Sequence, residues 1–479
     1  MQVERVIPGR GWWLLGPQPV AELGGPVAEI VPGRWLSVAP GLGVVSAESS
    51  RARVTLVGYA LDPDDAGVSD AEVASVIAQG WDGPSSLPVV TARFGGRWMV
   101  VVDDGRSTFV GQDTFGLRWV LYGPDGWCSG SEVALRRHAG AVSDPEAAAF
   151  AARVQPKTWP GDTTALTGVR RLLPSQVLDL GRGEPVTVPL TAGVPVPERP
   201  EAALDAIARS MAGTMAAAVR RFPLVMLLTG GADSRSMLAA CRGLTDRIRF
   251  VTIDNPAIAG SDADAKVASV LADVLGLDHH VVRATDRPSP SFAALADAHA
   301  GSQPPLWAAN NEAVATVVPA NAVGVTGHTG EVWRGTLNVQ IAPGGVPDAD
   351  WFLALRRLTG EPFAETSLRS WFAAADRNEL PVIGRVLWDL DYSARNSAWV
   401  DATDLIWADY LSPMGSRAAT TAVMALPEHY RDAGPVLMEE LSRRLWPEAL
   451  EASVLPKVRL RRRSLSQRVR FRVAGVLHR

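Results

Sequence analysis

Between residues 224 and 327, short apolar runs alternate with helical stretches, and each run ends in a turn. The first run covers 224 to 228, breaks at Thr229-Gly230-Gly231, and passes into a helix-like segment from about 234 to 242. "IRFVTID" (248 to 254) reads as a second strand, "DADAKVASVLADVLG" (262 to 276) as a helix, "HHVVR" as a third strand, and "NAVGVTG" (321 to 327) as a further strand ending in another glycine turn. Apolar runs of strand length carry no polar alternation when both faces of a sheet are covered. Strands alternating with helices therefore predict a parallel α/β sheet with helices on both sides.

The turn after the first run, within "LLTGGADSRSML" (227 to 238), has the composition of an anion site. Glycines let a backbone approach a ligand closely, and the free N–H groups opening the next helix favour negative charge. Thr229, Ser234 and Ser236 add hydroxyls. Asp233 is acidic where an anion belongs, which suits a magnesium ion riding on a phosphate. The Gly-Lys-Ser/Thr ending of a Walker A loop is missing, and so is the G-x-G-x-x-G dinucleotide spacing.

The remainder divides into three. Residues 1 to about 140 read as strands and turns, with hairpin signals at Asp103-Asp104-Gly105 and Pro124-Asp125-Gly126. Residues 141 to 198 read as a connector with a little β structure, ending in the proline-rich "GEPVTVPLTAGVPVPERP". A helix follows at "EAALDAIARSMAGTMAAAVRRF", and from about 350 the chain reads as mainly helical. The 479 residues, 47% apolar and 20% charged, suit a protein with a large core. Net charge is −4, and the nine Lys and Arg of 457 to 479 leave −13 on the rest, so no bulk attraction to nucleic acid or membrane is expected. Two cysteines, Cys128 and Cys241, make neither a disulfide framework nor a zinc pattern. No apolar run is long enough to span a bilayer, and no signal-peptide pattern opens the chain, so a cytoplasmic location is expected.

"LLTGGADSR" resembles the SGGxDS pyrophosphate loop of asparagine synthetase-like proteins, the class B synthetase domain of the ATP pyrophosphatases (PP-loop). Thr229 replaces the usual first serine, and Arg235 a second Ser or Thr. "SDADAKVASVLADVLGLDHHVV" resembles the family's acid-led helix and the strand after it, and "GVTGHTGEVWRG" (324 to 335) its variant GHGGDELxRG. The resemblance implies nucleotide contacts from Leu227, Thr229, Gly230, Gly231, Asp233, Ser234, Ile253, Thr326 and Gly327. It implies magnesium ligation by Asp233 and Glu331, the latter standing where an aspartate is usual. "YLSPMGSRAATTAV" resembles the family's PFLD segment, with Gly415 and Ser416 in the place of its aspartate. "ALEASVLPKVRLRRRS" resembles the stretch leading to a pyrophosphate-contacting lysine, with Lys457, Arg461 and Arg463 as the catalytic candidates.

"GRWMVVVDDGRSTFVGQDTFGLRWVLYG" resembles the family's N-terminal glutaminase domain. That resemblance implies a β-rich, Ntn-glutaminase-like α+β domain with linker over 1–198, followed over 199–479 by a doubly wound parallel-sheet synthetase domain with a helical C-terminal part. Glutaminases of this type use an N-terminal cysteine exposed by methionine removal. Gln2 stands there, and its amide cannot attack a carbonyl as a thiolate does. The resemblance is thus to members without glutaminase activity, such as β-lactam synthetases and lasso-peptide macrocyclases. The expected activity is an AMP-forming carbon–nitrogen ligase using ATP and Mg2+, in natural-product biosynthesis, with ring closure as one option. The expected partners are a small-molecule or peptide substrate bearing a carboxylate and an amine, and among candidates a precursor peptide, a biosynthetic partner protein or a second copy of the chain. Two other readings stand beside it: a nucleotide-binding scaffold without catalysis, and an enzyme using free ammonia. A ligase acting on RNA is disfavoured by the negative charge. Adjacent His279 and His280 would point to opposite faces of a strand and are read as structural. Trp307 and Trp333 are candidates to line the substrate site.

Overall fold

The computed structural model describes residues 6–154, 159–191, 193–301, 303–319, 321–337, 347–375, 382–392 and 399–452. Seventeen strands are found among them, in three sheets. The chain is mixed α/β, with two antiparallel sheets formed by its first 190 residues and one parallel sheet after residue 223.

The first antiparallel sheet contains β1 (Trp13–Gly16), β2 (Val27–Val31) and β3 (Arg34–Val38). The second opens with β4 (Val44–Glu48), β5 (Arg53–Leu61), β6 (Gly95–Asp103) and β7 (Thr108–Gln112). β8 (Leu121–Tyr122), β9 (Cys128–Ser129) and β10 (Arg170–Arg171) return to the first sheet, in the order β10-β8-β9-β1-β3-β2. β11 (Gln176–Asp179) and β12 (Glu184–Thr187) extend the second to β12-β11-β7-β6-β5-β4. Period-two alternation explains how both faces are used. Met99 and Val101 of β6 join Trp13, Leu15 and Val38 between the sheets, while Val100 and Val102 meet Val73, Ala74 and Ile77 of helix α1 (Asp70–Gly80) outside. On the far face, Leu14 and Leu121 pack against Ala134 and Leu135 of α2 (Glu132–His138). The layers run helix, sheet, sheet, helix.

Both expected hairpins are present, since β6 pairs with β7 and β8 with β9, antiparallel. The little β structure expected over 141 to 198 is present, but the stretch is more than a connector. Residues 145–154 form a helix, and β10, β11 and β12 are integral to the two sheets; β11 pairs with β7 through Leu178 and Val110. Proline in "GEPVTVP" suggested a linker, but Pro185 lies on the outermost strand of its sheet, where a missing N–H donor costs no ladder bond.

Helix α3 (Pro200–Arg221) leads into the parallel sheet, built of β13 (Leu224–Leu227), β14 (Ile248–Asp254), β15 (His279–Arg283), β16 (Val323–Val325) and β17 (Asp409–Leu411). Its order is β15-β14-β13-β16-β17. Leu224 and Met226 face a core that includes Met211 and Met215 of α3 and Leu238 of α4 (Ala232–Ala240), together with Leu271 of α5 (Ser261–Leu275). Val225 faces the other side, with Phe292 and Ala296 of α6 (Pro290–Ala300) and Ala308 of α7 (Pro305–Ala315). Both faces are therefore covered, as the unalternated apolar runs require. The chain after 350 is mainly helical, including α8 (Arg417–Ala425) and α9 (Val436–Leu445), and β17 is the strand that reading omits. No helix among the described residues is long and apolar enough to cross a membrane.

Candidate functional site

The order β15-β14-β13-β16-β17 reverses direction between β13 and β16, because the chain winds outward from β13 first to one side and then to the other. Connections at such a reversal leave opposite faces of the sheet and open a crevice at the carboxyl ends of the two strands. The glycine turns at 229–231 and 326–330 are the loops that leave β13 and β16 there.

The first loop is held in shape by its own hydroxyls. The Thr229 N–H donates to Ser234 Oγ at 3.1 Å, and the Gly231 N–H to Thr229 Oγ1 at 3.1 Å. Ser234 Oγ–H donates back to the Thr229 carbonyl at 2.8 Å. Thr252 on β14 anchors the strand end, donating to the Leu228 carbonyl at 2.6 Å. Gly231 is the N-cap of α4 and provides no side-chain cap, so Asp233 lies in an uncapped first turn. Leu227, Thr229, Gly230, Asp233 and Ile253 are half-buried, Gly231 is exposed and Ser234 is buried.

The second loop packs directly on the first. A Cβ on Gly327 would lie 3.2 Å from Asp233 Cβ, and one on Gly330 would lie 2.8 Å from both Asp233 Cγ and Oδ1. Glycine permits that approach without moving the Asp233 side chain. Thr326 is buried, and its N–H donates to the Leu411 carbonyl of β17 at 3.0 Å. Asp233 and Glu331, 98 positions apart in sequence, come close enough for the Glu331 charge to raise the Asp233 pKa. Burial is the larger cause of that rise, and Arg334 opposes it. Arg334 Nε lies 2.8 Å from Asp233 Oδ1, and Nη2 donates to Oδ2 at 2.9 Å. Arg334 is not among the expected site residues, although it matches the arginine of the GHGGDELxRG pattern, three positions after Glu331.

His328 in the same loop accepts or donates at Nδ1 to Tyr410 Oη at 3.0 Å, contacts the Thr326 hydroxyl, and stacks on Trp399 with ring centroids 4.3 Å apart. His279 and His280 are tied separately, to Thr252 Oγ1 at 2.8 Å and Asp278 Oδ1 at 3.0 Å. Trp333 is fully buried, with its Nε1–H on Thr420 Oγ1 at 3.0 Å, so it is core and lines no cleft; Trp307 is half-buried on α7. Ser416 caps α8 through the Ala419 N–H. Lys457, Arg461, Arg463 and Gln2 lie outside the described residues. Cys128 is wholly buried on β9, and burial pushes its thiol up to about 12, which leaves no thiolate near neutral pH. Cys241 is buried too, its thiol raised by burial.

The loops suit a phosphate by their glycine clearance, their amides and the helix start. For a divalent cation the donor set is the two carboxylates of Asp233 and Glu331, and both oxygens of the first already meet Arg334. Among the described residues no three His, Cys, Asp or Glu side chains gather as a metal site. Cavities of about 200 Å³ beside Trp371 and about 860 Å³ beside Trp12 lie elsewhere, lined by none of these loop residues.

No protein family model matches the chain, and no curated protein does. Among solved structures it is similar to the glutamine phosphoribosylpyrophosphate (PRPP) amidotransferase from B. subtilis complexed with ADP and GMP. The identity is 12%, over 68% of this chain and 72% of that one, at a TM-score of 0.21. A likeness at that level carries no argument.

Proposed function

We propose that the chain is an ATP-dependent amide-bond ligase of the asparagine synthetase-like kind, which releases AMP and pyrophosphate and takes its amine from a source other than glutamine. The observation that carries this reading is the meeting of the two glycine loops at the reversal point of the parallel sheet, with Asp233 pressed against Gly327 and Gly330.

In this reading the loop after β13 receives the pyrophosphate end of ATP, and Asp233 with Glu331 is the pair that would hold magnesium. That ion, when bound, would offset phosphate charge. A substrate carboxylate oxygen attacks the α-phosphorus as the bond to pyrophosphate breaks. An amine nitrogen then attacks the acyl carbon, AMP departs and the amine loses a proton. The protein's part is to hold the phosphates by fixed dipoles that need no reorganisation as charge develops. The antiparallel half, with its helix-sheet-sheet-helix layering, is read as a glutaminase-like domain without a nucleophile. The inert setting of Cys128 supports that. Biosynthesis of an amide-bearing natural product, linear or cyclic, is the role proposed.

The test is incubation of the full chain with ATP, magnesium and a panel of amino-acid and peptide carboxylates with amines, followed by nucleotide chromatography. AMP and pyrophosphate in equal amounts are expected. ADP as the product would overturn the mechanism, and tight ATP binding with no turnover across the panel would favour the non-catalytic scaffold.

A further inference from the structure

We propose that Arg334 is a phosphate-binding residue of this site, a built-in cation that Asp233 holds in place until a pyrophosphate group arrives. The inference rests on the nucleotide-loop reading above and adds to it a residue and a charge.

One hydrogen bond joins the pair: Nη2 of the guanidinium donates to Asp233 Oδ2 at 2.9 Å. Nε lies 2.8 Å from Oδ1 without hydrogen-bond alignment, and Nη1 donates to the Ala433 carbonyl at 3.3 Å. The Ala433 N–H in turn donates to the Arg334 carbonyl at 2.8 Å. The arginine is thus tied at both ends of its residue to one loop and aimed across at another. A planar guanidinium fits phosphate oxygens as well as it fits a carboxylate. The pair lies at the cleft, the side chains 21% and 25% exposed, so a ligand from solvent can reach it.

An independent feature of the loop has the same form. The carboxylate of Asp264 on α5 reaches toward Gly230, and burial raises its pKa while the nearby Gly230 amide lowers it. The Oδ1 of Asp264 lies 3.1 Å from where a Cβ on Gly230 would sit. Two carboxylates from different elements therefore lie where a pyrophosphate would sit. Asp233 holds the guanidinium, and Asp264 lies against the loop at Gly230. A ligand phosphate brings more charge and more acceptor oxygens than either, so it displaces them. On arrival Arg334 passes from Asp233 to a phosphate oxygen, and Asp233 is left free for a cation accompanying the ligand.

The consequence is pyrophosphate binding that persists without a divalent ion. Isothermal titration of the full-length chain with inorganic pyrophosphate, once in EDTA and once in magnesium, reads it directly. Wild type is expected to bind in both buffers. Arg334→Gln should weaken binding in EDTA by about tenfold or more, the scale of a lost charged hydrogen bond. Arg334→Lys, which keeps the charge without the fork, should recover part of that loss. Asp233→Asn should act with opposite signs, tightening binding in EDTA by releasing the guanidinium and weakening it in magnesium. Thermal melts check that each variant folds; should Arg334→Gln fail to, the lysine and Asp233→Asn variants carry the test. Equal binding by wild type and Arg334→Gln in EDTA, or wild-type binding only with magnesium, overturns the inference while leaving the ligase reading standing. Absence of pyrophosphate and ATP binding to wild type in either buffer overturns both.

Discussion

Two arginine–aspartate clusters in this molecule look alike on paper and differ in what surrounds them. Arg97 on β6 holds Asp404 by two contacts of 2.6 Å and Asp409 on β17 by one of 2.9 Å, and Arg118 adds a second hold on Asp409 at 2.5 Å. Their side chains are 2 to 12% exposed. The cluster joins the antiparallel half to the parallel sheet, next to the Tyr59 hydroxyl, which donates to the Tyr410 carbonyl at 2.7 Å. Burial works against the Arg97 charge, but Asp404 and Asp409 outweigh it and hold the guanidinium charged. The Arg334–Asp233 pair shares one hydrogen bond, from Nη2 to Oδ2, and its side chains are 21% and 25% exposed beside the glycines of the second loop. A buried charge network is intolerant of losing one member, because the remaining charges cannot be rehydrated. A pair that is partly open to solvent can exchange partners at smaller cost, because water and ligand compensate. The first cluster is built to stay closed and the second to open.

Substitutions at each separate the two, and four are ordered by their expected effect on stability. Arg97→Met leaves Asp404 and Asp409 buried with much of their compensation gone, and should cost about 3–5 kcal/mol, read as a lower denaturant midpoint. A cost below about 1 kcal/mol would erase the distinction drawn here. Next is His299, beside the same interface. It is fully buried, accepts the Gly9 N–H at Nδ1 (2.9 Å) and faces the Asp401 carbonyl at Nε2 (2.8 Å). Burial lowers its pKa from 6.5 to about 4, so the fold favours the neutral ring. Its contribution is whole above pH 6.5 and is lost as pH falls toward 4, where the unfolded chain takes up the proton first. The loss is roughly 3 kcal/mol. His299→Gln should flatten that part of the pH–stability curve, and an unchanged curve would contradict the neutral assignment.

Asp233→Asn should cost about 1–2 kcal/mol, the scale of a weakened hydrogen bond to a charged group, while AMP formation falls to background. Retained AMP formation would show that Asp233 is structural. The smallest effect is expected of Thr229→Ser. It keeps the hydroxyl that the Gly231 N–H uses and restores the residue usual in the loops this one resembles. Stability should move by no more than about 0.5 kcal/mol, as for most mild surface changes. Thr229→Val, in contrast, should weaken pyrophosphate binding, because the loop loses the acceptor that shapes it.

Much of the parallel half was legible in the sequence. Apolar runs at 224 to 228 and 248 to 254 became β13 and β14, and the helix read at 262 to 276 became α5 at Ser261–Leu275, since local periodicity is what a covered parallel sheet imposes. The three residues of β17 were not legible, because a strand that short inside a helical region gains its identity only from pairing with β16. The linker reading of the proline-rich stretch 183 to 200 failed at its start, where Glu184–Thr187 form β12, for a related reason. Proline speaks locally, whereas the place of β12 at a sheet edge is a tertiary fact.

The amino-acid order alone marked both glycine loops and singled out Asp233 between them. It determined these because turn chemistry, capping and alternation act over a few neighbouring residues. Only the tertiary structure decided that Gly330 clears the space for Asp233, that Trp333 belongs to the core, and that Arg334 and Asp264 reach into the loop. Those relations join residues tens to a hundred positions apart, and nothing in local sequence specifies the distance between side chains that meet only when the sheet and its helices pack.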